Sequence, residues 1–249
     1  LLNIVIPMAG HGSRFKKAGY ELPKPFIKVD NQPMISMVID NLKPTIEHQF
    51  IFIALKEHIE NNHLDNIIRD KIQNFKIISI DKVSRGAAET VLFASDFLNN
   101  DNPLLIANCD QFVDIDINDF LNSIDFSNDG FIQCMNASSA KWSYIKHENQ
   151  NVKFVAEKEV ISDVATTGLY WFKKSSLCIE YLQKMVENEI KSKGEFYVAP
   201  SYNLMIEDGY KIGYSIIGDD DSVMYGTGTP DDLEIFLSKL EVLKYYRKK

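Results

Sequence analysis

Cysteine is scarce in this chain: Cys109, Cys134 and Cys178 are the only three among 249 residues. An odd, scattered set offers neither a disulfide framework nor a zinc-ligand spacing, and it fits a reducing cytosol. No apolar run approaches the ~20 residues a membrane-spanning helix needs, and no basic-then-apolar leader opens the chain. The expectation is therefore a cytoplasmic protein without a membrane partner. Basic excess is missing too. Lys and Arg number 27 against 35 Asp and Glu, a net charge of -8, which argues against nucleic-acid partners. It does not exclude a nucleotide, because a few placed cations can hold phosphates locally. The five histidines form no metal constellation, since His58 and His63 are off the i, i+4 spacing of helical ligand pairs. No Pro/Gly/Ser-rich linker, repeat or low-complexity tract divides the chain.

What the chain does have is alternation. Residues 4–6, 50–55 and 103–107 are apolar runs of strand length, 75–80 reads as another strand, and 26–29 as a shorter one. Helical stretches lie between them: one opened by Pro33, one over 58–72, and one after the Arg85-Gly86 turn running to Leu98. Such alternation predicts a mostly parallel sheet covered on both faces. Later the style changes. A short helix is expected over 118–124, and strands over 130–136, 142–146, 151–156 and 166–172. A long helix over 175–191, a helix over 196–207, a strand over 210–217 and a last helix from Pro230 follow. The predicted fold class is α/β, one three-layer α/β/α domain over 1–249 with a mixed, mostly parallel sheet and halves meeting near residue 115.

After the first strand comes a small-residue loop that ends in a cation, Ala9-Gly10-His11-Gly12-Ser13-Arg14. Glycines let a backbone approach a ligand closely, and successive N–H groups there can cradle phosphate oxygens. Arg14 adds a planar fork of donors suited to phosphate. Lys24 stands between Pro23 and Pro25, a stiff segment that limits where its ammonium can go. Together they suggest a polyphosphate site. It is not a P-loop, for no Gly-Lys-Ser/Thr follows, nor a dinucleotide fingerprint, which needs a third glycine and a later acidic residue. Asp110 follows the 103–107 run, at a strand end where ligands of open α/β sheets gather. It reads either as a magnesium ligand or as a turn cap. Asp114 and Asp116 read as surface or capping carboxylates, and Cys109 as a packed residue.

As one string, the opening resembles the signature of the nucleotidyltransferases that make nucleotide-activated sugars, the pyrophosphorylase family. That signature is a strand, a G-x-G-[ST]-R loop, a P-K-x-[LF] segment and a P-M-I-x-x-x-I helix, here Pro33-Met34-Ile35-Ser36-Met37-Val38-Ile39. The resemblance implies a nucleotide-diphospho-sugar transferase fold, GT-A-like, with a nucleotide half over 1–115 and an acceptor half over 116–249. It implies Mg²⁺ on Asp110, and a nucleoside triphosphate held by Met8, Ala9, Gly10, Gly12, Ser13, Arg14 and Lys24. Base and ribose would lie on Arg85-Gly86-Ala87, where a plain strand-to-helix turn is the alternative. The phosphorylated acceptor would meet Asn108, Ser143, the Glu157-Lys158 pair, Thr167 and Gly168. Arg14, Lys24 and Lys158 carry the catalytic expectation. For Gly168, unfavourable inside a strand, close backbone approach to a ligand is the expected reason.

Two departures stand out. Gly226 occupies the place where many members of the family carry a second metal-binding aspartate, leaving Asp219, Asp220 or Asp221 as candidate substitutes. Ser143 follows Trp142 where many sugar enzymes have Tyr-Gly. With the opening Ile6-Pro7-Met8-Ala9-Gly10, the pattern resembles a branch linked to capsule and surface polysaccharide. That branch implies CTP and phosphoglutamine as substrates. The alternatives are a sugar 1-phosphate nucleotidyltransferase using dTTP, UTP or CTP, a silent nucleotide-binding relative, and a glycosyltransferase. Oligomeric state stays open.

Overall fold

The computed structural model describes residues 1–247, the side chains of 221 and 241–247 excepted. Strand β1 (Leu2–Pro7) leads into helix α1 (Ser13–Lys17), a 3-10 turn at Lys24–Phe26, and the hairpin β2 (Lys28–Val29) and β3 (Gln32–Pro33). Next come α2 (Met34–Leu42), β4 (His48–Leu55), α3 (Lys56–Asn62), α4 (Leu64–Arg69) and β5 (Phe75–Ile80). Helices α5 (Ala87–Leu92) and α6 (Ser95–Leu98) precede β6 (Leu104–Ala107), β7 (Gln111–Val113) and α7 (Ile117–Ser123). The second half holds β8 (Gly130–Asn136), β9 (Ser143–Glu148), β10 (Asn151–Glu157), β11 (Val164–Phe172), α8 (Ser175–Glu187) and α9 (Ser201–Glu207). It ends with β12 (Ile212–Asp219), α10 (Asp220–Val223), β13 (Met224–Gly226) and α11 (Pro230–Arg247).

Nine strands form one central sheet with the path β10-β9-β11-β6-β1-β4-β5, and β8 and β12 branch from β11. β6, β1, β4 and β5 pair in parallel, whereas β11 runs antiparallel to β6. Side chains alternate across the sheet, as the pleat requires. Ile4, Ile6, Phe50 and Phe52 enter one core with α2 and α11 residues such as Val38 and Phe236. Val5, Ile51, Ile53 and Ile106 enter the other, against Ala88 and Val91 of α5 and Leu182 of α8. Each core is sealed by helices, which gives the three-layer α/β/α architecture with a mixed, mostly parallel sheet. No helix among the described residues is long and apolar enough to cross a membrane.

Several element boundaries differ from the expected ones. The helix expected over 58–72 is broken at His63, whose φ of 51° is left-handed and caps both α3 and α4. Asn61-Asn62-His63 favour such a break, because these side chains tolerate that region better than most. The helix running to Leu98 is likewise interrupted between α5 and α6. The strand expected over 26–29 shrinks to Lys28–Val29 behind the 3-10 turn that carries Lys24. The helix expected over 196–207 starts only at Ser201, after Pro200. Residues before it are held as a loop: Phe196 N–H donates to Arg85 O at 2.9 Å and Phe196 O accepts from Ala88 N–H at 3.0 Å. Asp116 does cap α7, accepting from Asn118 N–H at 2.8 Å.

Gly168 has φ +82° within β11, where the register to β8 shifts between Thr166 and Tyr170. A Cβ there would lie 2.4 Å from Gln111 Oε1 and 2.6 Å from Asn108 Nδ2. The close approach that requires glycine is thus made by two amide side chains of the protein itself. Gly168→Ala should cost about 1–3 kcal/mol from strained backbone and crowding, read as a thermal midpoint several degrees lower. An unchanged midpoint would contradict this account.

All three cysteines are buried and free. Burial pushes the Cys109 thiol up to about 11 and raises those of Cys134 and Cys178 as well. Thiolate is the reactive form, so a chromogenic thiol reagent at pH 8 should label none of the three within minutes in the native protein. All three should react once guanidinium unfolds it, and a fast native thiol would refute the assignment of Cys109 as a packed residue.

Candidate active site

The carboxyl ends of β1 and β6 and the amino-terminal part of the antiparallel β11 open onto one cleft of about 730 Å³. The residues expected to contact nucleotide, from Met8 to Arg14, line it, as do Lys24, Asp110 and the Arg85–Ala87 turn. So do Asn108, Ser143, Glu157, Lys158, Thr167 and Gly168. The sheet path orders these groups in space. β1 delivers the glycine loop, its neighbour β6 delivers Asp110, and β11, β9 and β10 deliver the expected acceptor wall.

Met8 N–H still donates to Ile53 O at 2.9 Å, continuing the strand. From Gly10 to Ser13 the backbone N–H groups have no protein acceptor among the described residues. Gly12 is left-handed, with φ 59°, at the N-terminus of α1. A Cβ on it would meet Lys24 Cβ at 3.2 Å, so loop and lysine segment sit flush. Phe15, 1% exposed, anchors α1 in the core. The Arg14 guanidinium, on the exposed side of that turn, has no hydrogen-bond or ion-pair partner among the described residues. Free donors next to a free guanidinium make an anion cradle.

At the centre, Lys24 Nζ contacts Asp110 Oδ2 at 2.7 Å, with the two side chains 20% and 26% exposed. Burial alone would lower the Lys24 pKa, but the charge and hydrogen bond of Asp110 outweigh it and hold the lysine above its ordinary value. The lysine is therefore a permanent cation. Residues 227 and 228 pack on Asp110: Thr227 N–H donates to its backbone carbonyl at 2.8 Å, and a Cβ on Gly228 would lie 2.6 Å from its Oδ2. Gly226 pairs with Gln111 across β13 and β7, one residue from Asp110. Its α-carbon faces open space, the nearest atom to a Cβ being a Trp142 ring carbon at 4.0 Å.

On the far side, Ser143 Oγ donates to Glu157. Burial raises the Glu157 pKa against that hydrogen bond and the charges of Lys158 and Lys193. Lys158 has φ 56°, uncommon for a side-chain-bearing residue, and donates from Nζ to Tyr197 Oη. Asn108 Nδ2 donates to Gln111 Oε1 at 2.9 Å, and Thr167 Oγ1 donates to Gln133 at 3.2 Å.

Arg85 stands at the cleft with its guanidinium already engaged, pairing with Glu89 at 2.6 Å and Glu189 at 2.8 Å. Gly86 has φ 145°, and a Cβ would lie 2.4 Å from Phe196 O, so chain packing by itself demands glycine there. Of the candidate carboxylates, Asp219 accepts from Asn136 and Asp220 from Trp142 Nε1, both at 3.0 Å and outside the cleft lining. The Asp221 side chain lies outside the described residues. No group of three or more His, Cys, Asp and Glu among the described residues is placed to hold a metal. Glu195, Tyr197 and Gln111 line the cleft and were missed from sequence. Gly194 followed by Pro200 was the available signal for the first two, since together they mark a loop rather than a helix start.

Known proteins share this arrangement. A family model described as Nucleotidyl transferase matches residues 4–213. The bifunctional protein GlmU of Clostridium novyi is 26% identical over 230 residues, covering 87% of this chain and 48% of that protein. The chain thus spans about half the length of such relatives. The crystal structure of a nucleoside-diphosphate-sugar pyrophosphorylase from Vibrio cholerae superposes with TM-score 0.77 at 29% identity, over 94% of this chain and 99% of that one. An inositol-1-phosphate CTP transferase from T. maritima shares the fold at 12% identity and TM-score 0.73, with 96% of each chain covered. With a family model matched over most of its length, this chain belongs to the nucleotidyl transferase family.

Proposed function

We propose that the protein transfers a nucleotidyl group from a nucleoside triphosphate to the phosphate of a small acceptor, releasing pyrophosphate. One observation carries the reading: a phosphate-sized cradle of free N–H groups with Arg14, the Lys24–Asp110 pair, and Lys158 succeed one another along a single cleft. An acceptor phosphate oxygen would attack the α-phosphorus, forming a P–O bond as the α–β bridge breaks and pyrophosphate leaves. That oxygen is already anionic, so no general base is needed. Positioning and charge neutralisation supply the catalysis.

In this reading Arg14 and the 10–13 amides hold the departing phosphates, and Lys24 neutralises charge growing on the α-phosphate. Lys158 anchors the acceptor phosphate beside Glu157. Asp110 suits magnesium: it offers a hard oxygen at a strand end, and Oδ2 already holds one cation, the Lys24 ammonium. Mg²⁺ needs only one or two carboxylates when phosphates and waters complete its shell, which accommodates Gly226. When bound, the ion would add further neutralisation of phosphate charge.

For the substrates we favour CTP and phosphoglutamine, in capsule or surface-polysaccharide synthesis. The support is the Ile6-to-Gly10 pattern and Ser143, which turns its hydroxyl to Glu157 in place of a sugar-facing Tyr-Gly. A sugar 1-phosphate acceptor is the second reading, favoured by the likeness to the Vibrio cholerae nucleoside-diphosphate-sugar pyrophosphorylase.

Pyrophosphate release with Mg²⁺ should be measured with CTP, UTP and dTTP against phosphoglutamine and glucose 1-phosphate. Release confined to CTP with phosphoglutamine is expected. Release with the sugar phosphate selects the second reading, and silence across the panel refutes transfer. Lys24→Ala should lower turnover by about 10²-fold or more in a chain that still unfolds cooperatively. Near-normal turnover removes Lys24 from the mechanism.

A further inference from the structure

The loop between α8 and α9 reaches both sides of the cleft. Its tip, Lys193-Gly194, has φ 49° and 86°, closing a tight hairpin in which Ser192 and Glu195 exchange backbone hydrogen bonds of 3.0 and 3.1 Å. Two positive φ values in succession are the mark of a two-residue turn whose twist matches its arms. Phe196, fully buried, is then clamped by its backbone to Arg85 O and Ala88 N–H, with Gly86 packed flush against it. The next residue, Tyr197, enters the cleft, and its hydroxyl accepts from the Lys158 ammonium. From the same loop, Lys193 Nζ donates to Lys158 O at 3.2 Å. Lys158 N–H donates to Trp142 O at 3.1 Å. The backbone and the charged end of Lys158 are therefore both held, and the charged end is held by Tyr197. Burial, with the Glu195 and Glu157 carboxylates nearby, raises the Tyr197 pKa and keeps the phenol protonated.

We propose that Tyr197 is a positioning residue that aims the Lys158 ammonium at the acceptor phosphate, from a loop docked on the Arg85–Gly86 turn. The inference rests on the proposed nucleotidyl transfer. A lysine has four rotatable side-chain bonds and a strongly hydrated head, so an unheld ammonium samples many positions. One fixed acceptor on a rigid loop narrows that range before substrate arrives, and the benefit falls on acceptor capture rather than on the triphosphate.

Steady-state kinetics of the full chain test this, with Tyr197→Phe, Lys158→Met and the double variant, and with phosphoglutamine and glucose 1-phosphate as acceptors. Tyr197→Phe should raise the acceptor KM about tenfold, the scale of a hydrogen bond to a charged group, and leave the triphosphate KM and the thermal midpoint unchanged. In the Lys158→Met background the same change should have no further effect, because the group it acts through is gone. An equal loss in both backgrounds would mean that the phenol touches substrate itself, and would overturn the proposal. An active wild type with an unaltered Tyr197→Phe would overturn it too, with the transfer reading intact. Wild-type silence with every triphosphate and acceptor would end both.

Discussion

The contact between Lys24 and Asp110 is the constraint around which the active end of the molecule is arranged. Burial works against the charge on Lys24, and the Asp110 carboxylate at 2.7 Å supplies the counter-charge that outweighs it. Meeting that need brings four segments to one point. Pro23 and Pro25 stiffen the lysine's approach, and β6 delivers the aspartate. Gly12 packs on the lysine stem, and Gly228 packs on the carboxylate. At those two positions a larger side chain would crowd the ions.

In the proposed reading the pair also bears on how an acidic protein would hold a polyanion. Net charge is -8, yet the cleft floor carries a permanent cation and a row of unpaired N–H groups beside Arg14. Local geometry, not overall charge, sets the field at the site. The opposite wall carries charge of both signs, with Glu157 buried beside Lys158. In the proposed reading such a wall would discriminate an acceptor by what accompanies its phosphate, because hydrogen-bonding groups left unmatched there would be costly.

Much of the fold was legible because it rests on periodicity. The runs at 4–6, 50–55 and 104–107 are uniformly apolar, since both faces of those strands are buried, while 75–80 at the sheet edge carries Lys76 and Ser79 and is only half-buried. Helix ends were less legible. At His63 a left-handed residue breaks what reads as one amphipathic helix, a backbone choice that periodicity does not encode. Residues 196–200, read as the start of the following helix, take their conformation instead from Arg85 and Ala88, about 110 positions earlier in the chain. Glycines were half legible: their positions stood out, but Gly86 and Gly168 are required by Phe196 and by the Asn108 and Gln111 amides.

By itself the sequence determined which chemistry could gather at the strand ends: a glycine loop with an arginine, a proline-flanked lysine, a strand-terminal aspartate and a Glu-Lys pair. These are local patterns, legible because backbone freedom, stiffness and charge belong to the residues that carry them. Only the tertiary structure decided their partners. It bonded Lys24 to Asp110, drew Arg85 toward Glu89 and Glu189, turned Ser143 to Glu157, and set Tyr197 against Lys158. The physical reason is that a side chain's hydrogen-bond partner depends on which distant strands the sheet makes neighbours, and that order is a property of the packed whole.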